Sequence, residues 1–512
     1  MNMPPFDLLI VGGGINGAGI ARDAAGRGLR VGLCEANDFA GATSSASTKL
    51  IHGGLRYLEY YEFRLVAEAL AERENLLAIA PHIAWPLRFV MPHVRELRPR
   101  WMIRTGLWLY DRLGGRNSLP KSASVKLSGT RWGAGLSPQL HDGFVYSDAW
   151  VDDARLVILN LRSAQQHGAE IFARTRLLDA RRSDGLWHCT VADASGATRI
   201  LTSRTLVNAA GPWVGQVEQL AHSSRNRQGS AVRLVRGSHI VVPRLYDGEH
   251  AYILQNDDRR IVFMIPYEGE FTLIGTTDVA QENMDHGVQV APHEEAYLLR
   301  AVNRYLARPV DAGQIAWRYA GVRPLFDDES DNPSAITRDY TLALDEGSGL
   351  PLLSIYGGKI TTYRRLAEAS LSKLAQWIPG AADPWTATEP LPGGEFPPTE
   401  RAVQLRRLQQ RYPGLPAQWL ATLFARHGLL AHAILDDARS FSDLGRDFGG
   451  GLSEREVTHL VKHEWAASAD DVLWRRTKCG LHMQPAERAA FADWFDHAHA
   501  GRAMTTTESG ET

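Results

Sequence analysis

The chain has 512 residues, a net charge of −2 and three cysteines, Cys34, Cys189 and Cys479, far apart in sequence. Such a length holds about two to three domains with ample core, and the balanced charge offers no field for binding nucleic acid. The cysteine spacing excludes a Cys-type zinc cluster, a dithiol redox centre and a disulfide framework, and it suits a reducing compartment. No metal site is expected.

The opening MNMPPFD runs straight into strand-like sequence, so no signal peptide is expected. No run of about eighteen apolar residues is present to span a membrane. Residues 8–11 read as a buried strand, 15–27 as a helix closed by Gly28, and 31–34 as a second strand ending in Glu35. Gly12, Gly14 and Gly17 fit G-x-G-x-x-G. The first permits a tight turn, the second lets a pyrophosphate approach the backbone, and the third lets helix pack on strand. The helix start offers free N–H groups and a positive dipole end to phosphate. Glu35, eighteen residues past Gly17, sits where an acid accepts the ribose hydroxyls of an adenosine. The motif alone does not choose between FAD and NAD.

Residues 41–48 are small and hydroxyl-bearing, poor material for strand or helix. Thr43, Ser44 and Ser45, with Lys49, His52 and Gly53 behind them, are candidates to lie against a large planar or polyanionic ligand. Arg56 and Tyr57 follow directly, then a helical stretch over about 64–79.

GGGINGAGIARDAAGRG (12–28) followed by ATSSASTKLIHGGLRYLEYYEFRLVAEALAERE (42–74) resembles the aerobic glycerol-3-phosphate dehydrogenase family, in the D-amino-acid-oxidase-like flavoprotein group. The resemblance continues through FVYSDAWVDDARLV (144–157), LVNAAGPWV (206–214), RGSHIVVP (236–243), AGVRPL (320–325), ITRDY (336–340) and GGKITTYRRLAE (357–368). WRRTKCG (474–480) resembles the family's helical C-terminal domain. It implies FAD as cofactor, oxidation of sn-glycerol 3-phosphate to dihydroxyacetone phosphate, and ubiquinone or another membrane quinone as acceptor. It also implies a peripheral location on the cytoplasmic side of the inner membrane. An oxidase returning electrons to oxygen as hydrogen peroxide shares fold and substrate and stays open, as does a homodimer.

Residues 80–143 form an insertion in which Trp101, Ile103, Leu107, Leu109 and Tyr110 interleave with Arg95, Arg98, Arg100, Arg104, Arg112 and Arg116. That composition suits equally an element lying on an anionic membrane surface and a cap helix with solvated arginines. The resemblance favours the membrane.

Residues 150–167 read as a helix capped by Asp152 or Asp153, followed by strands over 170–177, 186–192 and 199–208. Ala210 and Gly211 then end a returning strand in small residues, and the resemblance makes them flavin-side contacts. From 232 to 278 the pattern turns to antiparallel strands, with a covering helix near 294–307. His239 inside this block is either a structural strand histidine or the proton acceptor of the reaction.

Arg323 and Arg338 precede a strand over 352–358 whose Gly357-Gly358 lets backbone reach the isoalloxazine. Lys359, Thr361 and the helix start of 361–378 favour negative charge on the reduced ring. Arg56, Arg323, Arg338 and Lys359 are the cations available for the substrate phosphate, with Arg323 and Arg56 first in line; Tyr57 stands beside them. His239, Arg323 and Lys359 are the catalytic candidates.

The fold class expected is α/β plus α+β: a Rossmann-like FAD-binding domain (1–80, 144–231, 335–380), an antiparallel-sheet cap and substrate domain (81–143, 232–334), a linker (381–398), a helical C-terminal domain (399–500) and a polar tail (501–512). Helices in the C-terminal part are expected over 399–412, 416–437, 453–466 and 485–499.

Overall fold

The computed structural model describes residues 4–499 except 95–97, 116, 222–231, 259, 285–287 and 327–338. The strand Phe6–Val11 lies at the centre of an eight-stranded sheet. It pairs in parallel with Val31–Cys34 on one side and Thr198–Asn208 on the other; Glu170–Phe172 extends the first side and Leu352–Tyr356 the second. Alternation sorts its side chains to two faces. Leu8 and Ile10 join a core formed with the helices Ile15–Gly26, Asp153–Gln166 and Tyr363–Lys373. Leu9 and Val11 join a second core with Trp187, Cys189 and Val217. A strand buried on both faces must be apolar, which is why LLIV, residues 8–11, reads as an unbroken run once past the partly exposed Asp7.

The second sheet has ten strands. Val232–Pro243 is flanked by Phe271–Gly275 and Trp317–Phe326, and Ala84–Pro92 links this group to Asp142–Val151. Here too the faces alternate. Val241, Ile253, Ile265 and Leu273 pack with Val66, Leu70, Ile103 and Leu107 on one side. Ile240, Val242, Leu254 and Ile274 pack with Leu298 and Val302 of the helix Pro292–Asn303 on the other.

Several boundaries depart from the sequence reading. Residues 144–151, expected with the nucleotide-binding unit, belong to the strand Asp142–Val151 of the second sheet, as does Leu50–Ile51. The helix expected from 150 begins at Asp153, because Trp150 still pairs with Trp85; Asp152 caps it, accepting from the Arg155 N–H at 3.1 Å. The strand expected over 170–177 divides into Glu170–Phe172 and Arg176–Ser183, with Arg174 at φ 47° between them. The helix expected over 361–378 stops at Lys373, and that over 416–437 is interrupted at Gly428, φ +55°.

The C-terminal helices Arg401–Arg411, Ala417–His427, Glu454–His463 and Pro485–His499 enclose two small cores of their own. Charge fastens them to the sheets. Arg155 pairs with Glu464, both fully buried. Asp38 accepts from Arg476 at 2.7 and 2.8 Å and from Arg475 at 2.5 Å. His427, His459 and Glu464 hold their ligand atoms within 4.8 Å of one another. Arg155 and Arg162 already take the Glu464 carboxylate, and Arg162 lies 3.4 Å from His459 Nε2, so cations fill the position a metal ion needs.

These buried histidines make the fold acid-sensitive. Burial lowers the pKa of His82 and His427 and brings that of His459 to about 3, from an ordinary value of 6.5. The unfolded chain therefore binds more protons below pH 6.5, so this contribution is complete above that pH and is lost as pH falls. Each histidine withdraws up to about 1.4 kcal/mol per pH unit. The thermal midpoint should drop steadily from pH 7 to pH 5; a flat profile over that interval refutes the assignment.

Candidate active site

A cavity of about 630 Å³ runs from the C-terminal end of the first sheet to the edge of the second. At its nucleotide end the strand tips approach so closely that a Cβ on Gly12 (φ +113°) would lie 2.4 Å from the Ala209 carbonyl oxygen. A Cβ on Gly17 would lie 1.9 Å from the Gly12 oxygen, so helix and turn touch through bare backbone. Gly14 precedes the helix Ile15–Gly26, and the Ile15 N–H donates to Ser44 Oγ at 3.0 Å. Glu35 accepts from the backbone N–H of Gly13 at 2.7 Å and of Asn37 at 2.8 Å. Burial raises its pKa against the pull of those two amides.

The hydroxyl-rich loop forms one wall and is stitched to the second sheet. Thr43 Oγ1 donates to the Val322 carbonyl at 2.5 Å, and Tyr319 Oη donates to the Ser47 carbonyl at 3.0 Å. The opposite wall is the Gly357-Gly358 turn, both residues at positive φ (68° and 96°). Asn16 Nδ2 donates to the Gly357 carbonyl at 3.1 Å, tying this turn to the first helix. Thr361 Oγ1 accepts from the His52 N–H at 3.3 Å.

At the far end stand His239, Arg323, Lys359 and Tyr57, all lining the cavity. His239 is 1% exposed. Its Nε2 lies 2.9 Å from Thr48 Oγ1, and its ring stacks on Tyr319 at 4.8 Å and 15°. Burial, with Arg323 and Lys49 nearby, holds its pKa well below 6.5, so it is neutral at physiological pH and can take up a proton. Arg323 is paired with Asp278. Lys359 Nζ stands 3.8 Å over the ring of Tyr57.

Residues 7–364 match the family model described as FAD dependent oxidoreductase, and residues 384–496 match that of the C-terminal domain of alpha-glycerophosphate oxidase. A protein of Pseudomonas aeruginosa named glycerol-3-phosphate dehydrogenase is 53% identical over 499 residues, 97% of this chain and 96% of that one. The chain belongs to the FAD-dependent glycerol-3-phosphate dehydrogenase family. A protein of Brucella abortus named D-erythritol 1-phosphate dehydrogenase is 49% identical, covering 96% of this chain and 98% of its own. In fold, the chain is similar to the solved glycerol-3-phosphate dehydrogenase from Bacillus halodurans complexed with FAD: TM-score 0.74, 24% identity, 100% of this chain and 97% of that one.

The cofactor of this family is FAD, and the cavity fits it. Gly12 and Gly14 leave bare backbone beside a helix start that would take the pyrophosphate, Glu35 would face the adenosine, and Gly357-Gly358 would bare backbone to the isoalloxazine.

The expected site residues separate into two groups. Gly12, Gly14, Glu35, Thr43, Ser44, His52, Tyr57, Ala210, Gly211, His239, Arg323, Gly357, Gly358, Lys359 and Thr361 line this one cavity. Gly17, Ser45, Lys49, Gly53 and Arg56 do not. Lys49 turns inward to a buried pair with Asp153 at 2.6 Å and donates to the Ser45 carbonyl at 3.1 Å. Gly53 is buried against Leu70 and donates its N–H to Tyr110 Oη at 2.8 Å. Arg56 folds over Tyr60 of its own short helix. Arg338 lies outside the described residues.

Asn16, Thr48, Arg176, Gln216, Phe263 and Thr276 also line the cavity and carried no motif of their own. Two had a signal, Thr48 by its place in the hydroxyl-rich run and Asn16 by its place inside the glycine motif. Replacing Glu35 by Ala removes the acceptor for two backbone amides and the carboxylate that would take the ribose hydroxyls of bound FAD. The variant should release FAD at dilutions where the parent stays yellow, read by flavin fluorescence of the filtrate; equal retention would remove Glu35 from the cofactor site.

Proposed function

We propose that this enzyme oxidises sn-glycerol 3-phosphate to dihydroxyacetone phosphate and passes the electrons to a membrane quinone. The observation that carries the reading is the meeting of a neutral buried histidine and two cations at the end of an FAD cavity. Relatives at about half identity are named glycerol-3-phosphate dehydrogenase, which supports the substrate.

Arg323 and Lys359 hold the phosphate dianion, for which charge-assisted bonds are the natural partners. Arg56, the sequence's first partner for Arg323, does not line the cavity and reaches Tyr60 Oη at 3.4 Å, so Lys359 is taken as the second cation. His239 takes the proton of the C2 hydroxyl as the C2–H bond breaks. Bound FAD supplies the two-electron acceptor for that hydrogen. Tyr57 keeps Lys359 in place by lying under its ammonium group.

One observation favours a second substrate. The Brucella abortus relative is named for D-erythritol 1-phosphate, a longer polyol phosphate with the same anchoring group. Comparing kcat/KM for the two phosphates, with hydrogen peroxide followed alongside, separates the readings. A preference for erythritol phosphate renames the substrate, and stoichiometric peroxide makes the enzyme an oxidase. Arg323→Ala should raise KM for glycerol 3-phosphate about ten- to a hundredfold, equivalent to about 1.5–3 kcal/mol. Parent kinetics in this variant would place the phosphate elsewhere.

The quinone reading draws on the helix Arg100–Leu113. Ile103, Leu107 and Tyr110 face the core, so Leu107 is spent inside the protein rather than left for a membrane. Trp101 (70% exposed), Met102 and Trp108 face out, as do Arg104 and Arg112, with Arg112 stacked on Trp108 at 4.1 Å. Tyr60, Tyr61 and Phe63 are exposed on the neighbouring segment. No helix among the described residues is long and apolar enough to cross a membrane. Aromatic side chains ringed by arginine suit the headgroup layer of an anionic bilayer. The double variant Trp101→Ser/Trp108→Ser should leave anionic vesicles in sedimentation and lose quinone reduction, while keeping its activity with a soluble dye. Unchanged sedimentation would move the contact to another face.

A further inference from the structure

WRRTKCG is a motif of the sequence that the proposed chemistry leaves unused, and the structure puts its first residue behind the active site. Trp474 stacks on Trp317 at 4.8 Å and 23°. Trp317 meets Tyr319 at 4.9 Å and 44°, and Tyr319 stacks on His239 at 4.8 Å and 15°. Trp317 and Tyr319 are two apart on the strand Trp317–Phe326, so they project from one face of it. Gly321 and Arg323, next in that parity, line the cavity. Tyr319 is directly opposite His239 in the antiparallel register.

Little else fixes the histidine ring. Its one hydrogen bond is to Thr48, and Nδ1 has no hydrogen-bond partner among the described residues. On the side opposite Tyr319 the ring passes over Gly275, where a Cβ would lie 2.0 Å from Cδ2. The plane of the imidazole is thus set by stacking, and the stack ends on the C-terminal unit. Trp474 is itself anchored: the two following residues, Arg475 and Arg476, grip Asp38, and Asp471 pairs with Arg174.

We infer that Trp474 is a positioning residue for His239, acting through Trp317 and Tyr319, and that this is the contribution of the C-terminal helical unit to the reaction. Trp474 does not line the cavity, so its effect passes through the ladder. Removing its ring uncovers Trp317, lets Tyr319 tilt and lets water approach the imidazole. Turnover then falls, because a misplacement of about 1 Å at a reacting group costs up to about a hundredfold. The hydrated imidazole regains basicity, and the acid limb of the pH profile moves to higher pH.

The inference rests on His239 being the proton acceptor, and the experiment keeps the two apart. In the full-length flavin-loaded enzyme, Trp474→Leu should lower kcat about tenfold with KM nearly unchanged and raise the acid limb of kcat/KM, while Trp474→Phe restores both. Trp494→Leu, which removes a ring packed on Phe448 elsewhere in the same unit, should leave both alone. Unchanged kcat and limb in Trp474→Leu, or an equal loss in Trp494→Leu, overturns the inference. If Trp474→Leu is not recovered folded, Trp317→Phe carries the test with the same required drop and shift. His239→Asn must abolish the limb; a limb that survives there refutes His239 as the base, a separate failure.

Discussion

The buried pair of Lys49 and Asp153 is the interaction on which the active site depends. Asp153 opens a helix of the nucleotide-binding sheet, and Lys49 ends the hydroxyl-rich loop. The carboxylate accepts from Lys49 Nζ at 2.6 Å, Ser47 Oγ at 2.7 Å, the Ala154 N–H at 2.9 Å and the Ser47 N–H at 3.1 Å. A buried ion pair is tolerable when its remaining lone pairs are filled in this way, and removing one partner costs about 3–5 kcal/mol. Here the pair curls residues 43–48 into a wall, with Lys49 held at φ 59°. Tyr319, whose ring lies 5.3 Å from the same ammonium group, is placed by it as well. The position of His239 therefore traces back to a lysine that does not line the cavity.

The sequence disclosed the parts of this site whose geometry is local. A glycine-rich turn between strand and helix is dictated by a few neighbouring residues, so Gly12, Gly14 and Glu35 could be assigned from spacing. Gly357 and Gly358 were legible for the same reason, since a double positive φ at a strand end admits little else. Lys49, Gly53 and Arg56 do not line the cavity; they sit in irregular backbone, where no period says which way a group points. Their directions are set by distant partners: Asp153 for Lys49, and Tyr110 for Gly53. Asp142–Val151 misled in another way. It is buried along nearly its whole length and is followed by a helix, which imitates the parallel strand-and-helix units of the nucleotide fold. Only its pairing with Ala84–Pro92 reveals its sheet.

The C-terminal unit is joined to the body through charge as well as through rings such as Trp465 on Phe39 and Trp474 on Trp317. Arg155, Arg174, Arg475 and Arg476 each cross the junction to a carboxylate, and two of these contacts converge on Asp38, three residues beyond Glu35. Paired charges impose direction as well as proximity, and a ring needs a defined angle to stack. The apolar cores of this unit hold it together internally, whereas the arginines orient it against the FAD-binding sheet.

The order of strands in the first sheet has a consequence in time. Phe6–Val11 finds its neighbours at Val31–Cys34 and at Thr198–Asn208; the first half of Thr198–Asn208 pairs with Leu186–Ala192, and its second half waits for Leu352–Tyr356. At a synthesis rate of about 5–20 residues per second, that last strand follows the first by roughly 20–70 s. Until then the apolar edge of the growing sheet lacks its partner and the wall formed by Gly357 and Gly358 does not exist. A cavity complete enough to take FAD therefore forms late, although six of the sheet's eight strands are complete by Asn208.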